Sequence, residues 1–297
     1  MSLSIGRDLI GGIAKRLGVG GAEQTRATTQ PASVSTPEPQ QTRVPGWDGT
    51  SSFEAESAQG AATARQLGGP AAATRPDLGQ IQRDYQVEDD QVVEWSPKAG
   101  GFIPIPFTPE YDITATEAKM LDGLSASRGL VGLNTFNNIK DQALETSTRL
   151  YPPPSNAPGH VPEDRVGEWK GQDGHRDAFR HAYWNALMTR EFGAEWTQQF
   201  ATAHEGLPGN PADREAMDLY NNEVGRQIAI ANPNASPEEL ATLVQQAVTD
   251  GRTVVLDQRG ELQWSDRVPL WQHGLTDNVP GQGGQPRPDG NASPDQY

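Results

Sequence analysis

The residues of this 297-residue chain that are best suited to chemistry are grouped around a histidine. Asp177, His181 and Asn185 recur every four residues, so they share one face of a helix predicted over residues 175–192. Trp184 lies on the same face, and the opposite face is apolar. Such a helix is contacted on both sides, and polar groups placed there must be paired, bound to a ligand or lining a cleft.

Two further stretches also place polar residues beside an apolar stripe. His204 and Glu205 adjoin the stripe of residues 194–205, and Asp218 and Asn222 are four residues apart on the next predicted helix. Asparagine is a poor helix former because its side chain competes with the backbone. Its presence in mid-helix therefore indicates a specific role. We predict that three consecutive helices bring these side chains to one functional cluster; a purely structural polar network is the alternative.

The predicted cluster favours hydrolysis by an activated water molecule. A histidine would act as general base, oriented by Asp177 or Glu205, and Arg180 would stabilise developing negative charge. The chain has no cysteine, and no serine occurs between residues 156 and 235, which disfavours a thiolate nucleophile and a Ser-His-Asp triad. The candidate catalytic residues are His181, His204, Glu205, Asp177 and Arg180. The candidate substrate-binding residues are Trp184, Asn185, Asp218 and Asn222.

A divalent metal ion is another way to activate the water molecule. The order His181, His204-Glu205, Asp218 is similar to the His…His-Asp…Asp order of helical metal phosphohydrolases, and imidazole and carboxylate ligands suit Zn, Mn or Fe. The sequence departs from that pattern because Glu205 replaces the aspartate and the two histidines are close together. The cofactor is therefore left open. If a metal is bound, we expect His181, His204 and Asp218 to be its ligands.

Helices must position these groups. Capping boxes predict helix starts at Thr114, with Glu117, and at Ser236. Asn210 is expected to cap a helix whose first residue is Pro211. The other predicted helices span 130–150, 175–192 and 194–205, and the helix capped by Asn210 is expected to end near residue 231. Residues 253–264 predict a β-hairpin. The expected fold class is therefore mainly α: a compact multi-helix domain with one small β-hairpin.

The composition changes on both sides of this core. In residues 21–80, 44 of 60 are Ala, Gly, Pro, Ser, Thr or Gln, which cannot bury a core. Residues 5–17 are amphipathic but lack the apolar core of a cleavable signal peptide, which suggests an export or docking signal. No segment is apolar enough to be transmembrane. The predicted regions are a disordered 1–80, an extended arm 81–112, a helical domain 113–276 and a short disordered tail 277–297.

The net charge of −15 lies in the predicted arm, domain and tail. Residues 1–80 contain seven basic and seven acidic residues, and residues 81–297 contain the other 17 basic and 32 acidic residues. An acidic domain repels a phosphate backbone. Nucleic acid is therefore a disfavoured partner.

Three motifs together resemble a bacterial domain family of unassigned function: DAFRHAYWNAL at 177–187, AHE at 203–205 and MDLYNNEVG at 217–225. We associate this family with the C-terminal parts of secreted, polymorphic-toxin-like and effector-like proteins. The resemblance covers about residues 165–232. It implies an effector or toxin that is secreted or delivered into a target cell without a cleavable signal peptide. It also implies a secretion chaperone or injection apparatus and an immunity protein as partners. It assigns no catalytic residues.

Chemistry and resemblance together lead to one expected function and two alternatives. The expected function is a secreted hydrolase with a His/carboxylate site, acting on a phosphodiester, a phospholipid or a cell-wall polymer. The first alternative is a non-enzymatic effector that binds a target protein. The second is a cargo component of an injection machine or virion.

Overall fold

The computed structural model describes residues 75–276. Over this range the protein is mainly α-helical, with a β-hairpin near its end, so the expected fold class is confirmed. The amphipathic segment, most of the predicted N-terminal region and the predicted tail lie outside the described residues. No helix in the described range combines the length and the apolar character needed to cross a membrane.

The predicted helices appear in order along the chain, together with two that were not predicted from the sequence. The helices are α1 (Leu78–Asp84), α2 (Ala115–Leu150), α3 (Val166–Gly171), α4 (His175–Phe192), α5 (Ala194–Glu205), α6 (Ala212–Ala231) and α7 (Pro237–Thr249), and the two additional ones are α1 and α3. Both predicted capping boxes are confirmed. At the start of α2, the Glu117 N–H donates to Thr114 Oγ1 at 3.1 Å and the Thr114 N–H donates to Glu117 Oε2 at 2.9 Å. Ser236 and Glu239 make the same reciprocal bonds at α7.

Gly129 divides α2 into the two helices that the sequence predicts. Its backbone angles, φ 65° and ψ −164°, are not helical, and glycine adopts this region without the steric cost that a Cβ atom imposes. The residues on either side continue as helix, so α2 spans the predicted start at Thr114 and the predicted end before the prolines at 152–154.

Three local predictions differ from the structure. The arm predicted as extended over 81–112 begins instead within helix α1, because Ile81 is buried and Asp77 caps the helix by accepting from the Gln80 N–H. Asn210 is not the cap of α6: Pro211 occupies the cap position, and no side chain caps this end. Helix α3, which is anchored by the fully buried Trp169, lies in a stretch before residue 175 where no helix is predicted from the sequence.

Short antiparallel strands form three pairs in the described range. The first joins β1 (Val92–Trp95) to β4 (Tyr111–Thr114), and the second joins β2 (Lys98–Ala99) to β3 (Ile103–Pro104). The predicted hairpin is the third pair, β5 (Val254–Leu256) with β6 (Leu262–Trp264), in which Val254 lies opposite Trp264. The first two pairs hold the arm against the start of α2.

Helix α4 is the centre of the domain and packs against α2, α5, α6 and α7. Its closest approach is to α6, where a Cβ atom on Gly225 would overlap the backbone carbonyl of Ala182. Glycine therefore allows the two helix backbones to touch. This contact brings the polar face of α4 against the polar face of α6.

Candidate functional site

His181 lies at the centre of a buried polar cluster contributed by α4, α5 and α6. Its Nε2 atom is 3.5 Å from Oδ1 of Asp177 and 3.5 Å from Oδ1 of Asp218. Its Nδ1 atom is 3.3 Å from Oδ1 of Asn222 and 3.5 Å from Oε1 of Glu205. None of these five residues is more than 5% exposed. The structure therefore brings His181 together with candidates from all three predicted helices: Asp177, Glu205, Asp218 and Asn222.

Arg180 supplies the positive charge of this group. Its guanidinium pairs with Asp177 Oδ1, and its pKa is raised: burial opposes the charge, but the negative charges of Asp177 and Asp218 outweigh burial. Its side chain is 16% exposed, which makes it the member nearest solvent. The name His181 cluster is used below for Asp177, Arg180, His181, Glu205, Asp218 and Asn222.

A chain of amide hydrogen bonds fixes the orientation of Asn222. Its Nδ2 donates to Glu205 Oε1 at 3.2 Å, and its Oδ1 accepts from Asn185 Nδ2 at 2.6 Å. Asn185 Oδ1 in turn accepts from Arg226 Nη1 at 3.0 Å. Asn222 thus presents an acceptor oxygen to His181. The network assigns the ring proton to His181 Nδ1 and leaves a lone pair on Nε2, facing the two aspartates.

Burial shifts the protonation of the cluster. Burial, with the nearby charges of Arg180 and His204, lowers the pKa of His181 well below its ordinary value. Burial, with the negative charges of Asp177 and Glu205, raises the pKa of Asp218 well above its ordinary value. Burial also raises the pKa of Glu205. A neutral imidazole beside carboxyl groups of raised pKa is typical of acid–base sites.

His204 lies beside the cluster and has a different partner from the predicted one. Its Nδ1 is 2.9 Å from Oε1 of Glu117, at the start of α2. Burial lowers the pKa of His204, but the charge and hydrogen bond of Glu117 outweigh burial and raise it overall. The carboxylate of Glu117 therefore favours the protonated form of His204 beside the His181 cluster.

The predicted metal ligand set needs one correction. The residues whose ligand atoms all lie within 4.8 Å of one another are Asp177, His181 and Asp218. Asp177 thus takes the place predicted for His204, because the His204 ring is directed to Glu117.

Two of the predicted substrate-binding residues, Asn185 and Trp184, are held by contacts with other residues of the protein. Asn185 is fully buried, and both atoms of its amide are bonded within the protein. Trp184 packs edge-on against His204 and Phe200, with ring centroids 5.4 Å and 6.0 Å apart. Its buried Nε1 has no hydrogen-bond partner in the described range, so Trp184 keeps a free donor next to the cluster.

Sequence reasoning missed the second role of Glu117 and an ion-pair group next to the site. Glu117 caps α2 through one carboxylate oxygen and binds His204 through the other. Arg214 makes a bidentate pair with Asp173 at 2.7 Å for both bonds. The backbone N–H of Asp173 donates to Asp177 Oδ2 at 2.7 Å. An acidic residue before α4 and an arginine on α6 were the available signals, but their separation of 41 positions hid the pairing.

The cluster is closed in this conformation. A surface groove of approximately 390 Å³ lies elsewhere, between α2 and the α4–α5 corner, and no member of the cluster lines it. The cluster is covered by the α5–α6 connection, from which Asn210 Nδ2 donates to Glu205 Oε2 at 3.3 Å. The arm holds this connection through the Asp90 N–H, which donates to the Gly206 carbonyl at 2.8 Å. A substrate therefore needs this connection or Arg180 to move.

Comparison with known proteins relates the helical region to one family. Residues 133–252 match a family model described as a domain of unknown function (DUF6973). The matched range begins within α2 and ends just after α7. It includes the whole His181 cluster but not Glu117. No curated protein and no solved structure matches the chain. The chain is thus similar, over its central helices, to a domain to which no activity is attached.

Proposed function

We propose that the helical domain is a hydrolase that activates a water molecule at the His181 cluster. The observation that carries this proposal is the surrounding of one buried imidazole by three carboxyl groups contributed by three helices, with a single guanidinium beside them. Burying charged groups costs several kcal/mol per ion unless they are well paired. Strongly shifted titratable groups that are held together at such a cost indicate a functional site.

Water is the nucleophile that the cluster supports. The polar partners of His181 in the described range are carboxyl and amide groups, and none is a serine or threonine hydroxyl. The chain has no cysteine. Covalent catalysis by a hydroxyl or a thiol therefore has no suitable group here, whereas general acid–base catalysis has several.

Two members, Glu205 and Arg180, have direct roles in this proposal. A carboxyl group of raised pKa, Glu205, can take a proton from water and return it to a leaving group. Arg180, the member nearest solvent, would bind a negatively charged substrate group and stabilise charge that develops on it. This favours a phosphodiester, phospholipid head groups included, as the first substrate to test. A cell-wall polymer is the second.

The motif resemblance adds a biological setting to the proposal. We propose that the chain is a secreted bacterial effector or toxin, delivered to a target cell, with an immunity protein as the partner that protects the producer. The test is growth of bacteria that express the full chain in the cytoplasm or in the periplasm. Growth arrest in one compartment, relieved by a gene adjacent to the one encoding this chain, is the expected result. Normal growth in both would contradict it.

The hydrolase is tested with the purified full chain. Phospholipid vesicles are assayed for released head groups, and purified peptidoglycan is assayed for loss of turbidity. His181→Gln should lose activity while keeping its helical circular dichroism. The matched control is His160→Gln, since His160 lies on the surface and contacts the backbone of His273. Equal activity of both variants, or no activity of the wild type on either substrate, would overturn the proposal.

One observation favours a second candidate, an effector that binds a protein. The arm exposes Phe102, Ile103 and Phe107, which are 76%, 54% and 98% exposed. Phe107 also has φ 65°, which is uncommon for a residue with a side chain. Large apolar side chains held in solvent are typical of binding surfaces. If Phe107→Ser abolishes toxicity and His181→Gln does not, binding is the better account.

A further inference from the structure

We infer that Asp177, His181 and Asp218 bind one divalent transition-metal ion, Zn²⁺ or Mn²⁺. The inference rests on the proposed function for its chemical consequence, because a bound ion would supply the activated water. The geometry from which the metal site is inferred does not depend on any substrate. The metal site and the hydrolase activity can therefore be refuted separately.

The distances fit a metal site. The Nε2 atom of His181 is 3.5 Å from Oδ1 of Asp177 and 3.5 Å from Oδ1 of Asp218. Two ligand atoms that each bind an ion at about 2.1 Å with a tetrahedral angle between them are about 3.4 Å apart. These two separations are too long for hydrogen bonds but suit pairs of atoms that share one ion, and all three ligand atoms lie within 4.8 Å of one another.

Asp218 provides an independent sign of a missing ligand. It is 3% exposed, and its Oδ1 atom has no hydrogen-bond partner in the described range. That same atom faces His181 Nε2, to which the hydrogen-bond network assigns a lone pair. Buried acceptors without a donor are costly. A cation bound by the lone pair and the carboxylate oxygen removes this cost for both.

The surroundings orient these groups as a metal site requires. A histidine ligand usually donates its other ring N–H to an acceptor, which fixes the ring. Here Nδ1 of His181 faces Asn222 Oδ1, and Asn222 is itself held by Asn185. Asp177 is held on Oδ2 by the Asp173 N–H, and its Oδ1 also pairs with Arg180. The candidate ligands are therefore oriented before an ion binds.

The charge of the fully ionised cluster also favours a cation. The His181 cluster contains three carboxyl groups and one guanidinium, so full ionisation leaves two negative charges in excess. A divalent ion neutralises that excess. One imidazole and two carboxylates form a ligand set that suits Zn²⁺ or Mn²⁺, and the general order of affinities favours Zn²⁺. Such an ion lowers the pKa of a bound water to about 7.

The experiment measures metal binding by the full chain without any substrate. The protein is stripped with chelator, dialysed, and titrated by calorimetry with Zn²⁺, Mn²⁺ and Mg²⁺. Asp218→Asn and His181→Gln remove one ligand each. Asp164→Asn is the matched control, because Asp164 is exposed. Visible absorption of added Co²⁺ provides a second readout, since a tetrahedral site absorbs far more strongly than hydrated Co²⁺.

The expected result is one equivalent of Zn²⁺ or Mn²⁺ bound by the wild type and by Asp164→Asn, with an increased Tm. Affinity should fall at least about 10-fold in the two ligand variants, as it does when even a supporting residue is lost. Wild-type binding no stronger than that of Asp218→Asn would overturn the inference. Bound metal without hydrolysis would support the metal site and contradict the proposed hydrolase. Hydrolysis without bound metal would support the hydrolase and contradict the metal site.

Discussion

Two polar clusters, one buried and one partly exposed, lie side by side in this domain, and they are built differently. The His181 cluster occupies the α4–α6 contact. The second, the Arg214 cluster, lies at the start of α4 and consists of Arg165, Glu168, Asp173 and Arg214. The two are joined where the Asp173 N–H donates to Asp177 Oδ2. The same chain thus contains one cluster whose charged groups are fully paired and one whose charged groups are not.

The Arg214 cluster is internally matched. Arg214 bonds both oxygens of Asp173 and one oxygen of Glu168, each at 2.7 Å, and Arg165 binds both oxygens of Glu168 at 2.9 Å. Two arginines face two carboxylates, so the charges cancel. Bidentate pairs of this kind are the strong form of ion pair.

The His181 cluster is unmatched in both charge and geometry. Three carboxyl groups share one guanidinium, and the contacts to His181 are 3.3–3.5 Å rather than hydrogen bonds of ideal length. A polar group that evolved only to hold the fold should resemble the Arg214 cluster, since half-satisfied networks destabilise. The difference supports our proposal that the His181 cluster is arranged for a ligand or a reaction.

The largest expected loss of stability comes from breaking the matched cluster. Arg214→Met removes the partner of Asp173, which is fully buried. Leaving a buried carboxylate unpaired costs about 3–5 kcal/mol, measured as the free energy of unfolding in urea. Arg259→Met is the control, because the Arg259 side chain is 73% exposed. A loss below about 1 kcal/mol for Arg214→Met would show that the cluster is not structural.

A pH-dependent loss of stability is expected from Glu215, which lies on α6 outside both clusters. Burial, with the negative charge of Glu205, raises its pKa to about 7 although the Val87 N–H donates to it. Between pH 4.5 and 7 the folded protein holds more protons than the unfolded chain, so stability falls as the pH rises. The full shift corresponds to about 3 kcal/mol, present as a penalty above pH 7.

Glu215→Gln keeps the acceptor oxygen for Val87 and removes the charge. The variant should therefore gain stability relative to the wild type as pH rises from 4.5 to 8, and the two should be similar at pH 4.5. Urea unfolding at several pH values measures this. Glu261→Gln, a change at an exposed position, should not alter the slope. A wild-type curve parallel to that of Glu215→Gln would contradict the prediction.

The helix contact that creates the His181 cluster can be changed without touching either cluster. Gly225→Ala places a Cβ atom against the backbone carbonyl of Ala182, which cannot move as a side chain can. Overpacking of this kind costs about 1–3 kcal/mol, and the displaced α6 should also reduce activity. Gly123→Ala is the control, since a Cβ there meets nothing within 4 Å. It should be neutral or stabilising.

The helices and their polar faces could be predicted from the sequence because those signals are local. Periodicity and capping residues predicted the start of α2 at Thr114, the bounds of α4 and α5, and the face shared by Asp177 and His181. Local signals also misled: Asn210 is a favoured cap residue, yet the chain begins α6 one position later. Propensity ranks residues but does not decide where tertiary contacts place a helix end.

The detailed chemistry of the site could not be predicted because it depends on distant pairs. His204 was expected to join His181, but Glu117, 87 positions earlier, binds its ring. Asp173 and Arg214 are 41 positions apart. Each pairing is set by how α2 and α6 cross α4, which the pattern of one helix does not encode. The sequence therefore indicates which residues can react, and the packing selects their partners.

The smallest expected change in stability separates the two clusters most sharply. Asp218 and Asp173 are both buried aspartates, 3% and 0% exposed. Asp173→Asn breaks the pair with Arg214 and should cost about 3–5 kcal/mol. In chelator-treated protein at pH 7, Asp218→Asn changes a carboxyl oxygen that has no hydrogen-bond partner in the described range, and it should change the free energy of unfolding far less than Asp173→Asn does.

The same Asp218→Asn variant should lose hydrolysis by at least about 100-fold, the usual contribution of a group that takes part in acid–base or metal-assisted catalysis. Urea unfolding and vesicle hydrolysis are measured on the same preparations of wild type, Asp218→Asn and Asp173→Asn. If the two asparagine variants are equally destabilised, both clusters hold the fold and the difference in their geometry has no functional meaning. If Asp218→Asn is stable and inactive, a carboxylate that the fold does not need has been retained for chemistry.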